Sequence, residues 1–455
     1  MAISKSASLL YLAAVVTLLV GIPLGLLYRE ASRRGRPFNT YLAELFRGER
    51  EGPKAPVRAT RIDFLEERPI GDPVGESPPW ITHVAIVDLD GDGLKDVVLC
   101  DGKLNYVAWI QQQPAGTYRE TRIGTPILAP AHVTPSDIDG DGDIDLLVAK
   151  MGTILPNNDE IGAVVVLEND GEQGFTNRVL ADNIARVTDI EPGDFDGDGD
   201  VDLAVGQFGY DDGEIRWMEN EGGWQFASHN LLNLSGTIHT PVGDLDGDGD
   251  LDIAAVVSQH WEEVFVFEND GEANFEQHLI YGATNEDFGS SGISLTDLDL
   301  DGDLDVLYTN GDAFDYIPPG PRPWHGVQWL QNEGRLDFTY HRIGDFPGAF
   351  FANGVDADRD GDMDVVVVSA FNDWTNENAQ SMSWFDNDGH TSFTRRGLAS
   401  APTHLLALAS ADMDGDGFVD FVTGGMYTYP PFDRMSRVTL WLNHWPDRSA
   451  PQRER

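Results

Sequence analysis

Seven nine-residue words concentrate the side chains of this chain that could do chemistry. Each places carboxylates at positions one, three, five and nine. They are Asp88, Asp90, Asp92 and Asp96; Asp137, Asp139, Asp141 and Asp145; Asp194, Asp196, Asp198 and Asp202; Asp244, Asp246, Asp248 and Asp252; Asp297, Asp299, Asp301 and Asp305; Asp356, Asp358, Asp360 and Asp364; and Asp412, Asp414, Asp416 and Asp420. Hard oxygen donors at this density suit Ca²⁺, which takes six to eight oxygens, better than Mg²⁺, which demands a tight octahedron. Position six is glycine in every copy, as a sharp turn requires. An EF-hand would need glutamate at position twelve, where the first four copies carry Leu99, Val148, Val205 and Ala255. With that closing residue missing, a bidentate role in the calcium shell is expected of the aspartate at position nine.

A second constellation lies just upstream of the motifs. His83, His132 and His239 stand five residues before their motifs, and Asp189 holds the same offset in the third repeat. Equivalent positions on neighbouring repeats would converge, with His404 joining in a shifted register. Such a cluster could bind a transition metal or exchange protons. The alternative is that each histidine simply fills a structural position in its strand.

These groups need a repeating frame. The motifs begin 49, 57, 50, 53, 59 and 56 residues apart, a period that means one supersecondary unit per repeat. A short apolar stretch precedes each motif, a β-rich run such as VDLAVG closes it, and a run such as IRWMEN or VQWLQN follows. Five copies continue as Asn-Asp-Gly or Asn-Glu-Gly, a turn word, into a strand that opens on an aromatic residue. Four strands repeated seven times predict an all-β, seven-bladed β-propeller. The seventh repeat ends at VTLWLNHWP without a fourth strand, and residues 62–70 resemble one. They are therefore expected to complete blade seven, which would leave no blade open.

On one face of such a propeller lie the acidic loops. On the other lie the long loops Met151–Ile161, Gln207–Gly213, Thr309–Gly326, Ser369–Ser381 and Gly424–Arg437. Their aromatic and imidazole side chains, Tyr316, Trp324, His325, Trp374 and Tyr427 among them, form candidate platforms for a sugar or a protein partner. Equally, they could pack on one another and stiffen the loops.

Composition narrows the partners. Among 455 residues, 77 acids face 30 bases, a net charge of −47, which excludes a nucleic-acid binder built on phosphate neutralisation. Hydrophobic residues at 41% and 11 tryptophans argue for a folded core. The four motif positions take 28 of the acids, so bound metal would relieve much of the self-repulsion. A single cysteine, Cys100, excludes an intrachain disulfide.

Ala7–Tyr28 is a 22-residue uncharged stretch, about 33 Å as a helix and so long enough to span a membrane. Residues 1–28 are expected to be an uncleaved single-pass transmembrane anchor, 29–58 a linker, 59–446 the propeller and 447–455 a tail. Arg29, Arg33, Arg34 and Arg36 would place the propeller in the cytosol by charge count. Exposed calcium loops of this kind typically bind at about 10⁻⁴ to 10⁻³ M, which favours an extracytoplasmic location, periplasmic or at the cell surface.

On these motifs the chain resembles the FG-GAP/VCBS repeat family, typified by integrin α-subunit propellers, over residues 59–446. The resemblance implies that the matching aspartates bind Ca²⁺ in the hairpin between the first two strands of a blade. Leu300 and Arg359 depart from it, standing where position four is usually glycine. The leading functional expectation is a membrane-anchored, calcium-stabilised binding module for a polysaccharide or protein. The alternative is a carbohydrate lyase or dehydratase using the histidine cluster, since some propellers with similar repeats belong to such enzymes. No nucleophile elbow, phosphate loop or HExxH word is present to name a reaction.

Overall fold

Runs such as Asp96–Asp101, Asp252–Val257 and Asp364–Ser369 are buried at every position. That is the signature of a strand covered on both faces, and each is the second strand of an antiparallel four-stranded blade. The computed structural model describes Phe64–Trp445 apart from His260, Glu286 and Ile317. The expected anchor at Ala7–Tyr28, the linker at 29–58 and the tail at 447–455 lie outside the described residues. No helix of the described residues is long and apolar enough to cross a membrane.

Seven sheets follow one another along the chain. Blade one comprises Ile81–Val87, Asp96–Asp101, Tyr106–Gln112 and Tyr118–Ile123, hydrogen-bonded in that order. Blades two to six repeat the order. In blade four the first strand is broken into Thr237–His239 and Val242–Gly243, because Pro241 has no N–H to give the ladder. Each motif occupies the hairpin between the first and second strands, so all seven acidic loops share one face. The loops between second and third strands, and the connections between blades, share the other.

Blade seven is built from both ends of the described chain. Leu405–Ala411, Asp420–Gly425 and Val438–Asn443 supply three strands, and Leu65–Ile70 pairs antiparallel with the last, from Leu65 opposite Asn443 to Ile70 opposite Val438. The closure expected from residues 62–70 is therefore present over Leu65–Ile70, residues 62 and 63 lying outside the described residues.

The core lies between blades. Val97, Leu99 and Ile110 of blade one meet Met413, Val422 and Leu440 of blade seven. Phe195 and Trp217 of blade three meet Ile253, Phe265 and Phe267 of blade four. Such clusters join every neighbouring pair of blades, so the apolar surface is buried around a closed ring.

Candidate functional site

The acidic loops have one repeated geometry. The glycine at position six takes a positive φ, +88° at Gly93 and +105° at Gly302, and in six of the seven copies its N–H reaches back to the first carboxylate, as from Gly93 to Asp88 at 2.9 Å. The N–H of position seven donates to the fifth carboxylate in every copy, at 2.8 Å for Asp200 on Asp198. Only backbone is used there, which is why Leu94 and Phe418 serve as well as aspartate. Position four is also left-handed: Leu300 has φ +60° and Arg359 +58°, so both keep the turn against their own preference.

Position nine does something sequence reasoning did not assign to it. In all seven motifs one carboxylate oxygen accepts the N–H of position two, and the other accepts the N–H of the last residue of the third strand. Asp305 takes Leu298 N–H at 2.9 Å and Asn332 N–H at 2.7 Å. Asp96, Asp145, Asp202, Asp252, Asp364 and Asp420 repeat the pattern. These carboxylates are anchors of the blade, and each oxygen keeps one lone pair that an ion could use. Burial, against those hydrogen bonds, raises Asp305 to about 6 and Asp364 to about 8.

The loops fit a hard cation. Ligand oxygens of Asp88, Asp90 and Asp96 lie within 4.8 Å of one another, as do those of Asp194, Asp196 and Asp202. One oxygen each of Asp90, Asp137 and Asp299 is buried without a hydrogen-bond partner. An orphaned carboxylate oxygen is costly, and a cation would satisfy it.

At the end of the first strands on the opposite face, His83, His132, Asp189 and His239 converge as their common offset predicts. His132 Nδ1 donates to Asp189 Oδ1 at 2.9 Å, and His239 Nδ1 is 3.7 Å from Asp189 Oδ2. The ring of His83 lies 3.6 Å from that of His132, and Phe351 approaches His239 from blade six at 5.5 Å. The break in blade four frees the Thr240 N–H, which donates to Asp189 Oδ2 at 2.6 Å. Burial, aided by the charge of His132, holds His83 well below its ordinary value. Burial opposes protonation of His132, but the charge and hydrogen bond of Asp189 outweigh it and raise the group. Glu191, two residues beyond Asp189, is pushed up to about 8 by burial and by the charge of Asp189. Its signal in the sequence is this two-residue spacing, which puts both side chains on one face of the strand.

His404 does not join this cluster. It stands eight residues before its motif, is fully buried, and lies against Thr403, the Tyr429 carbonyl and the Trp374 ring. The loop aromatics are likewise not one platform. Trp374 and His325 are each 1% exposed. His325 Nδ1 accepts the N–H groups of Arg322 and Gly348, and burial with the charges of Arg322 and Arg342 lowers it to about 3. Tyr316 and Trp324 both hydrogen-bond the carbonyl of Asp287, and Tyr427 packs on Trp80 beneath Lys103. These side chains chiefly hold loops to one another.

What this face does expose is apolar, four aliphatic side chains and two aromatic ones. Val74, Leu104, Leu128, Leu155, Tyr210 and Phe314 are the exposed large apolar side chains of its loops, and Leu155 reaches 66%. Tyr210 and Phe314 are aromatics of the long loops that the sequence marks, whereas the isolated aliphatic residues carry no periodicity and give no signal.

Solved structures share the fold at low identity. The BBS1N domain, from crystals of its complex with ARL6DN, aligns at 13% identity with TM-scores of 0.52 and 0.50 in mercury- and lead-soaked forms, covering 87% of this chain and 99% of that one. The V. cholerae biofilm matrix protein Bap1 aligns at 12% identity and a TM-score of 0.40 over 87% of this chain and 91% of its own. A search of curated proteins finds no match. The family model for the FG-GAP-like repeat matches residues 88–148, 137–205, 194–255, 244–308 and 356–423, together more than half of the chain. The chain belongs to the FG-GAP-like repeat family.

Proposed function

We propose that this protein is a calcium-stabilised scaffold that binds a partner protein on the face opposite its acidic loops, tethered to a membrane by Ala7–Tyr28 with the propeller outside the cytoplasm. The observation that carries the reading is the distribution of exposed apolar side chains. Among the described residues, six of the eight exposed large apolar side chains, Val74, Leu104, Leu128, Leu155, Tyr210 and Phe314, lie on that face, from loops of blades one, two, three and five and from the connections into blades one and two. Apolar side chains offered from several loops on one side of a highly charged protein suit contact with a partner protein. Leucine and valine suit a protein more than a polysaccharide, whose rings stack on aromatic faces; of the loop aromatics, Phe371 and Trp374 are buried and Tyr210 and Phe314 exposed. BBS1N was crystallised in complex with a partner protein, so the fold is compatible with such a role.

Calcium would serve as the fastener of the opposite face, held by the carboxylates of positions one, three and five with one oxygen of position nine. The test of binding is a photo-crosslinker placed in living cells at Leu155 or, as a control on the acidic face, at Leu300. A discrete protein adduct at Leu155, absent at Leu300 and lost with Leu128→Asp, is expected. Adducts at neither position, with retention on a polysaccharide column that Leu128→Asp does not disturb, would overturn the reading.

A further inference from the structure

We propose that His132, Asp189 and His239 form a site for one divalent transition metal ion of the zinc class at the mouth of the channel. This goes beyond the scaffold reading and does not rest on it. The three residues come from the first strands of three consecutive blades, and their ligand atoms lie within 4.8 Å of one another. Around an ion with bonds of about 2.1 Å, neighbouring donors are about 3.0 Å apart in an octahedron and about 3.4 Å in a tetrahedron. The separations of 2.9 Å from His132 Nδ1 to Asp189 Oδ1 and 3.7 Å from His239 Nδ1 to Asp189 Oδ2 bracket those spacings.

The donors are also held in place. Asp189 is 1% exposed, and its carboxylate accepts the N–H groups of Thr240 at 2.6 Å and Ile190 at 3.1 Å. Fixing a ligand's orientation in this way is what outer partners do in metal sites. Two imidazoles with one carboxylate form a donor set for zinc or iron(II), whereas Ca²⁺ and Mg²⁺ prefer oxygen alone, so the site is chemically distinct from the seven acidic loops. His83 is not a ligand through Nδ1, which accepts the Val133 N–H at 3.3 Å; its ring walls the site instead. Three protein donors are the number that catalytic zinc sites supply, one fewer than structural sites.

The experiment is a titration of the full chain with Co²⁺ in excess calcium, which occupies the acidic loops and leaves a nitrogen-containing site to the probe. One equivalent should bind with a visible ligand-field band, and Zn²⁺ should displace it. Asp189→Asn and His239→Ala should each weaken Co²⁺ binding by about 100-fold or more, while calcium-dependent melting stays cooperative. His278→Ala removes the other histidine and carboxylate cluster, Glu268, Glu276 and His278 on the outer strands, and should change nothing. No band in the unaltered protein, a band that survives both channel substitutions, or one lost with His278→Ala would each overturn the proposal. His239 is less buried than Asp189, with 16% of its side chain exposed against 1%, so its substitution tests the site even where Asp189→Asn fails to fold.

Discussion

Arg437 holds Glu120 across 317 residues of chain, its two terminal nitrogens 2.7 and 2.9 Å from the two carboxylate oxygens. The guanidinium also donates to Tyr106 Oη and to the carbonyl of Asp72, and both charged side chains are almost wholly buried. Blade seven is thereby bolted to blade one at the point where the ring closes. Removing one partner of a buried pair leaves the other charge without compensation, at a cost of about 3 to 5 kcal/mol. Arg437→Met should lower unfolding stability by that amount in calcium-saturated protein, and adding Glu120→Gln should restore part of it. Equal stability of Arg437→Met and the unaltered protein in urea melts would refute the bolt.

The terminal residue of the third strand is a second fastener. Asn332 donates to the carbonyl of Leu304 in its own blade and of Leu245 in the preceding one, at 3.1 and 2.6 Å. Asn269, Asn443 and Gln112 make the same pair of bonds across their own blade boundaries. Asn332→Ala strands two buried carbonyls and should cost roughly 2 to 3 kcal/mol. Thermal denaturation with calcium present measures it, and a change under half that size would assign the residue to the turn alone.

Leu300 offers a stabilising change. Its φ of +60° is unfavourable for a side chain with a Cβ by about 1 to 2 kcal/mol, and the residue is exposed, so glycine loses no packing. Greater freedom of glycine in the unfolded chain returns about 0.4 to 1 kcal/mol of that. Leu300→Gly should therefore raise stability by about 0.5 to 1 kcal/mol. The reverse change, Gly197→Leu, should lower it, and a fall with both would show the loop to be governed by something else.

Metal removal should act on the whole ring. With the acidic loops stripped of cation, carboxylates held within 4.8 Å repel and buried oxygens such as that of Asp299 stay unsatisfied. A chelator should lower the melting temperature by well over ten degrees, reversibly on adding Ca²⁺ and much less so on adding Mg²⁺. Indifference of the melting curve to chelation would end the calcium assignment.

Glu262 predicts a pH dependence. Burial raises it to about 7, against the N–H groups of Ser290 and Gly289 that it accepts, and Asp312 adds to the rise. A carboxyl raised above its unfolded value of 4.5 holds its proton in the folded state. Its contribution is therefore complete below pH 4.5 and lost as pH climbs through 7. The loss is on the order of 3 kcal/mol. Glu262→Gln cannot titrate, so the stability difference between unaltered protein and variant should change across this window and level off above it. A constant difference would mean that Glu262 ionises normally.

The repeat made the ring legible in advance. A strand opening on an aromatic and ending on an apolar residue, present at Phe64–Ile70 and missing after Val438–Asn443, was enough to join the ends. The shared offset of His83, His132, Asp189 and His239 was enough to bring them together, because a strand residue is placed by counting from its motif. His404 failed by the same count: three residues upstream of the offset it leaves the strand and enters the loop layer. The loop aromatics stayed open between platform and packing, because sequence does not distinguish a ring facing solvent, as Tyr210 and Phe314 do, from one packed on a neighbouring loop, as Trp374 is. Arg437 and Glu120 were illegible, since nothing local marks partners so far apart.

The strand that completes blade seven also decides how the propeller responds to tension. Leu65 lies opposite Asn443, so the chain enters and leaves this strand pair at the same end. A pull on the residues before Phe64 against those after Asn443 would open the pair like a zipper, loading one bond at a time rather than all together. Opening would travel toward Ile70 and Val438, where the grip of Arg437 on Asp72 and Glu120 stands just beyond the last paired residues. Phe64, held edge-on by Trp384 and Trp445, would have to leave first, and under load the outermost strand would then peel back toward that grip.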